Sequence, residues 1–436
     1  MNGAQALPKW PSNCCQAWPD TLFEHFFAAS NKLREIHPQT PQPNGPRMNA
    51  PTLLTWSEKD TLRSALWRSD QVLPKTVVLA DDTMTADTAY RLACAGTGLL
   101  WRSDFQNARL LLQAMMRRLD KPSKRKTRGK NQAEAPVEPA TGFHAHRLAQ
   151  SQRARVLNTL LIELKDDYSI ALRRAPDVKQ ACNEAWGRGD GQNSVVPLRV
   201  LQGLIGAHEW RKNGVEVAAL GGTDPRIHPH YGVFSPVRGE YVDLVAKTPL
   251  PAALQTNSLA FDIGTGTGVL SALLVRRGIE RVVATDMSDR ALSCAKDNLQ
   301  RLELTGQVEL LKTDVFPPGQ AALVVCNPPW LPARPTSLLE QAVYDEGSQM
   351  LKGFLAGLSS HLCPGGEGWL ILSDLAEHLG LRTRGELQGW IDEAGLKVLG
   401  RVDTLPRHAK AQDTTDPLHA ARSAEVTSLW RLAAAG

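Results

Sequence analysis

The chain has 436 residues, a net charge of +5 and 42% apolar residues. That length calls for two or three domains, and that apolar share is enough to fill them with full-sized cores. No run of eighteen uninterrupted apolar residues occurs, and the opening stretch lacks a basic start followed by an apolar run. Neither a membrane span nor a secretory leader is therefore expected, and the mild charge leaves any nucleic-acid contact to local patches.

Residues 1–50 are rich in proline and carry no sustained period, so they are expected to be disordered. Met48 heads a stretch that reads like a natural start. Residues 51–120 are expected to form a mainly helical domain. In it Ser57 caps a helix through Trp67, Lys75 to Ala80 form a short strand, and Thr85 and Asp104 cap two further helices, the second running from Phe105 to Leu119. Residues 121–140 form a basic linker, with six Lys or Arg among positions 121–130. It reads either as an RNA-contacting arm or as a solvated loop, and the loop is favoured because no aromatic side chains are interleaved to stack on bases. Residues 141–230 are mixed, with helices around 147–164, 177–186 and 195–210 and a strand at 215–220. This region has no catalytic motif and is assigned to substrate recognition or to a lid. Seven cysteines show no Cys-x-x-Cys pair and no histidine at metal spacing, so they read as reduced thiols of a cytoplasmic protein with no metal site.

From residue 231 onward, apolar strands alternate with helical patterns, and each strand ends in a polar group. Leu259 to Ile263 runs through Asp262 into a turn with Gly264, Gly266 and Gly268, then into an apolar-periodic helix. Such glycines let the backbone approach a ligand and pack the helix tightly on the strand. Arg281 to Asp286 ends in an acid eighteen residues after Gly268, the place where Rossmann-like sites set a carboxylate on ribose hydroxyls. Val308 to Asp314 ends in another acid. A fourth strand runs into Asn327-Pro328-Pro329-Trp330. The Asn327 side-chain oxygen and the Pro328 carbonyl can both accept hydrogen bonds from a planar NH2, whose delocalised lone pair must be oriented before it can be alkylated. Two prolines fix that turn, and Trp330 offers a flat face. The closing pattern, strand 368–373, helix 384–394, strand 397–404 and strand 426–432, reads as an antiparallel last hairpin.

In combination these motifs resemble the class I S-adenosylmethionine-dependent methyltransferases, and within them the small-domain and release-factor glutamine methyltransferase group. The resemblance covers roughly residues 230–432 and implies an α/β fold: a Rossmann-like seven-stranded sheet with helices on both faces, preceded here by the mainly helical region. It further implies that Asp262 and the turn of Gly264, Gly266 and Gly268 hold the methionine moiety of S-adenosylmethionine. Asp286 would take the ribose and Asp314 the adenine amino group, while Asn327, Pro328, Pro329 and Trp330 grip the acceptor nitrogen, with Asn327 also among the cofactor-binding residues. Tyr231 to Tyr241 resembles the segment that closes over the cofactor, although Phe234 and Tyr241 serve equally well as core. This chain differs from release-factor enzymes in having Trp330 where they carry tyrosine, and in its long N-terminal region. Tyr344-Asp345-Glu346-Gly347 is only loosely similar to their acidic glycine-rich loop.

Two acceptors stay open: a glutamine amide in a translation factor or ribosomal protein, and an exocyclic amine of RNA or DNA stacked on Trp330. A third reading, a non-catalytic module that binds S-adenosylmethionine or nucleic acid, is opposed by the intact Asp262, Asp286, Asp314 and Asn327. Secondary candidates are His228 and His230, expected on an exposed polar surface near the cofactor entrance, Arg334 on a proline-rich loop, and Arg407, His408 and Lys410 lining the substrate cleft.

Overall fold

A computed structural model describes residues 52–120, 138–335, 340–407 and 412–435. The expectations for residues 1–50, for Met48, for most of the basic linker and for His408 and Lys410 lie outside the described residues.

The N-terminal region differs from the mainly helical expectation. Its elements are β1 (Leu53–Glu58), β2 (Thr61–Trp67), β3 (Thr76–Ala80), α1 (Ala86–Cys94), β4 (Thr97–Trp101), α2 (Phe105–Leu119), α3 (Pro139–Leu157), β5 (Leu160–Leu164), α4 (Lys179–Trp186), β6 (Ser194–Pro197) and α5 (Leu198–Asn213). One six-stranded sheet, in the order β1-β2-β6-β5-β4-β3, draws strands from both sides of the basic linker. Residues 52–120 and 141–213 are thus one mixed α/β unit, not a helical domain beside a separate region. The expected helix from Ser57 to Trp67 is an antiparallel hairpin with Glu58 opposite Thr61. In β1 the burial has a period of two, with Leu54 and Trp56 buried and Leu53, Thr55 and Ser57 exposed, and β2 is held beside it by strand pairing. Lys59 and Asp60 make the turn with φ of 51° and 59°, the mirror-image geometry that two-residue hairpins favour but that glycine and asparagine usually signal. Arg102, at the end of β4, locks this edge by pairing with Glu58 at 2.7 Å and Glu163 at 2.6 Å.

Two short strands, β7 (Val215–Glu216) and β8 (Arg226–Ile227), lead into the C-terminal unit. It contains α6 (Glu240–Lys247), β9 (Leu259–Ile263), α7 (Val269–Arg276), β10 (Arg281–Asp286), α8 (Asp289–Arg301), β11 (Val308–Lys312), β12 (Ala321–Cys326), α9 (Gln349–His361), β13 (Leu362–Ser373), α10 (Leu375–His378), α11 (Arg384–Glu393), β14 (Leu396–Thr404), α12 (His419–Ala424) and β15 (Thr427–Ala434). The seven strands lie in the order β11-β10-β9-β12-β13-β15-β14, parallel except for β15, which runs antiparallel to both neighbours. Successive residues of the central strands feed opposite layers: Ala260, Val282 and Val325 pack with α7, whereas Phe261, Val283 and Val324 pack with α9. That double burial is why β9 and β12 read as near-continuous apolar runs. The strand order reverses between β9 and β12, the crevice where open α/β sheets bind ligands.

The Lys59-Asp60 turn gives a direct check on the hairpin. Replacing it with Asn-Gly removes the cost of a left-handed lysine and should stabilise the protein by about 1 kcal/mol. The measure is the midpoint of denaturant unfolding. A helix over Ser57–Trp67 would instead be destabilised by the inserted glycine.

Candidate functional site

A buried carboxylate organises the carboxyl end of β9. Asp262 is 1% exposed. Its Oδ2 accepts hydrogen bonds from Thr265 Oγ1 at 2.8 Å and from the backbone N–H of Ser271 at 3.0 Å. Burial pushes its carboxyl above the usual range, and the Ser271 and Thr265 donors pull it back. These contacts tie the strand, the glycine turn and the first turn of α7 together. Asp262 is not among the residues that line the cavity, and its Oδ2 is taken up beneath the turn, so its part here is to hold the turn in shape.

The turn itself forms one wall of a cavity of about 380 Å³, within the range of small-molecule sites. Gly264 and Gly266 line it, at φ of 74° and 56°. A Cβ on Gly264 would sit 2.6 Å from Met350 Cε, itself on the cavity wall. Gly268 does not line the cavity. Its φ is 79°, and a Cβ there would come within 3.2 Å of the Ala295 backbone on α8. At this position the glycine serves close packing of the turn against α8.

Asp286, at the end of β10, lines the cavity and accepts from Gly266 N at 3.1 Å and Ser288 N at 2.9 Å. Burial raises its carboxyl above the ordinary range, with those backbone donors opposing the shift. Asp314, after β11, lines the same wall and is exposed there. Its neighbour Val315 adopts φ of 58°, a genuine outlier for a β-branched residue, and its carbonyl is held by Thr285 Oγ1 at 2.7 Å. Strain of this kind persists only where the surroundings over-determine it, and here it aims Asp314 into the cavity.

Asn327, Pro328, Pro329 and Trp330 line the cavity beyond the end of β12. The Trp330 indole N–H donates to Asn327 Oδ1 at 3.0 Å. Of the two lone pairs on that oxygen one is thereby used, and the carboxamide is locked in orientation. The Trp330 ring is half-buried against the cores on both sides of the sheet. Phe234 and Tyr241 also line the cavity, and Tyr241 is part of the core as well.

The secondary candidates fare differently. His228 and His230, expected on an exposed surface, are part-buried between the two units. His228 Nδ1 lies 2.7 Å from the Arg211 carbonyl, and His230 Nε2 lies 2.9 Å from Asp297. Desolvation, then Arg211, holds the His230 imidazole below its usual range, with Asp297 opposing. Arg407 does not line the cavity; its backbone N–H donates to Glu240 at 2.6 Å and its side chain pairs with Asp243 at 3.4 Å. The Arg334 carbonyl accepts from Arg147 at 3.1 Å while its side chain is exposed. No cluster of three His, Cys, Asp or Glu suited to a metal occurs among the described residues.

Residues that no motif announced complete the cavity. Phe143, His146, Arg147 and Gln150 on α3 reach it from the N-terminal unit, and Leu418 and Arg422 on α12 reach it from the other side. Arg147 holds α3 in place: it pairs with Glu340 at 3.3 Å and lies 4.3 Å from the ring centre of Tyr344. Positions 143, 146, 147 and 150 share one face of α3, and only the fold shows what that face covers.

Comparisons with known proteins agree with this geometry. Residues 225–380 match the family model described as the methyltransferase small domain. A release factor glutamine methyltransferase of Cereibacter sphaeroides is 30% identical over 159 residues, 33% of this chain and 54% of the relative. A ribosomal protein L11 methyltransferase of Geobacter metallireducens is 27% identical over 196 residues, 44% of this chain and 62% of the relative. A release factor glutamine methyltransferase of Moorella thermoacetica is 35% identical over 115 residues, 25% and 41% of the two chains. The chain thus spans from about two fifths to three fifths of the length of these relatives. Residues 225–380 are thus similar to the methyltransferase small domain, and they fold on the seven-stranded sheet expected of class I S-adenosylmethionine-dependent methyltransferases.

Gly268→Ala tests the division of roles within the turn. It should cost about 1–2 kcal/mol through the left-handed φ, with more from the Ala295 contact. Denaturant unfolding is the measure. An unchanged midpoint would show that this position is free of the packing constraint.

Proposed function

We propose that the protein is an S-adenosylmethionine-dependent N-methyltransferase acting on a planar NH2 group, and that this group is an amide of a protein. The carrying observation is that one cavity joins the glycine turn, Asp286 and Asp314 to an Asn327 carboxamide fixed by Trp330. The cradle suits the cofactor: Gly264 and Gly266 leave room for backbone approach, and Asp286 keeps acceptor capacity for ribose hydroxyls. When bound, S-adenosylmethionine supplies an electrophilic methyl group on a sulfonium. The free lone pair of Asn327 Oδ1 and the Pro328 carbonyl accept the two N–H bonds of the acceptor, which leaves its nitrogen lone pair aimed along the reaction axis. Holding both reactants in one cavity supplies acceleration by proximity. No strong base is required, because the nitrogen becomes acidic on methylation and its proton leaves to water.

The protein amide is favoured over a nucleobase for two reasons. The relatives are named for a release factor and a ribosomal protein. In addition, the Trp330 ring is packed into both cores and its N–H is committed to Asn327, which leaves less of it as a stacking platform. Incubating the protein with methyl-labelled cofactor and either protein-only or RNA-only fractions of a knockout extract tests this. Label should enter protein; label confined to RNA contradicts it.

Asn327→Ala should leave cofactor affinity intact and lower turnover by roughly 10²-fold, since its contacts strengthen as the nitrogen pyramidalises. Trp330→Phe keeps the ring but deletes the N–H bond, and a five- to tenfold loss in kcat of roughly one hydrogen bond's worth is expected, with KM little changed. Steady-state kinetics on the labelled acceptor decide both, and full turnover by Asn327→Ala contradicts the orientation mechanism.

The raised carboxyl of Asp286 sets a pH dependence. Its ionised form is the better ribose acceptor, so cofactor affinity is full above the folded pKa and falls as pH drops through it. Because burial raises that pKa above the usual 3.8, the loss begins in milder acid than for an ordinary carboxylate. Calorimetric titrations from neutral pH down into acid should show this fall in the wild type and a weak, flat profile in Asp286→Asn.

A further inference from the structure

One part of the cavity wall, beside the cluster of Phe143, Leu331, Leu375, Leu379 and Leu418, is built differently. Arg147 on α3, Arg238 ahead of α6 and Arg422 on α12 all line it. Each has an enclosed carboxylate at hand: Glu340 at 3.3 Å, Glu425 at 3.5 Å and Asp416 at 2.8 Å. Arg422 stands apart from the other two. It is 8% exposed, and arginine is almost never so enclosed unless it is paired. Its ion pair with Asp416 is made through Nε, which is shut off from the cavity and makes no hydrogen bond. The terminal nitrogens, unlike Nε, are not sealed in by protein. Four apolar side chains, Phe143, Leu375, Leu379 and Leu418, share this part of the wall. In so apolar a setting a guanidinium fork acts on a ligand far more strongly than it does in water.

The planar fork of arginine matches carboxylate or phosphate. Three carboxylates already balance the three guanidinium groups here, which leaves little surplus positive charge for a dianion. A single negative charge received by the terminal nitrogens of Arg422 fits better. Resting on the methyltransferase reading above, we propose that Arg422 is a specificity-determining residue that receives a carboxylate carried by the acceptor close to the NH2 held at Asn327. The carboxylate comes from an acidic side chain next to the methylated amide or from a free chain terminus, two sources of the same chemistry.

The test uses the full chain saturated with S-adenosylhomocysteine and calorimetry with four probes. These are acetyl-glutaminyl-glutamate amide, its neutral glutaminyl-glutamine counterpart, acetyl-glutamine with a free carboxylate, and adenosine monophosphate. The acidic dipeptide or the free-carboxylate probe should bind roughly tenfold or more tightly than the neutral one, the scale of a charge-assisted pair, and the better of the two identifies the source. Because Arg422→Gln alone strands Asp416, the paired variant Arg422→Gln with Asp416→Asn is measured beside it. In that variant the preference should vanish while S-adenosylhomocysteine still binds. Equal affinity for charged and neutral probes, a preference that survives in the paired variant, or tighter binding of the nucleotide overturns the proposal. So does a protein that binds S-adenosylhomocysteine but none of the peptides, and that result leaves the methyltransferase reading standing. Failure to bind S-adenosylhomocysteine overturns the reading and the proposal together.

Discussion

A charge placed where water cannot reach holds the site together. The Asp262 carboxylate is fully enclosed, and a group of that kind is tolerated only when donors replace its hydration. Thr265 and Ser271 provide them, from the glycine turn and from the first helical turn beyond it. The carboxylate therefore couples strand, turn and helix, and it fixes where Gly264, Gly266 and Asp286 stand relative to one another. Asp286 continues the chain of constraint by accepting from Gly266 N, so two acids and one loop form a single hydrogen-bonded frame.

The other half of the cavity depends on contacts between the two units. Arg147 bridges from α3 to Glu340, to the Arg334 carbonyl and to the face of Tyr344. Further back, Arg290 donates to the Ala185 carbonyl, and Arg211 and His230 converge on Asp297. The N-terminal unit thus does more than precede the C-terminal sheet: it supplies α3, whose side chains form part of the cavity wall. Side chains of α3 therefore share one cavity wall with Asn327.

The C-terminal fold was legible because doubly buried parallel strands leave long apolar runs, and each run here ends in a residue of distinct chemistry. Asp286, Asp314 and Asn327 were visible for that reason. Asp262 and Gly268 were visible too, but spacing alone does not separate a residue facing the cavity from one supporting the turn beneath it. The β1-β2 hairpin was misread because Lys59-Asp60 lacks the usual turn residues, and a serine before an apolar stretch mimics a helix cap. Arg422 and the α3 residues carried no local signal. They become functional only when segments far apart in the chain fold over the same cavity.

The central claim is that the glycine turn and its following acids hold S-adenosylmethionine, and not another nucleotide cofactor. Titrating the full-length protein calorimetrically with S-adenosylmethionine and, separately, with NADH tests it most directly. Saturable binding of one equivalent of S-adenosylmethionine and none of NADH is expected. Binding of NADH with no response to S-adenosylmethionine would contradict it.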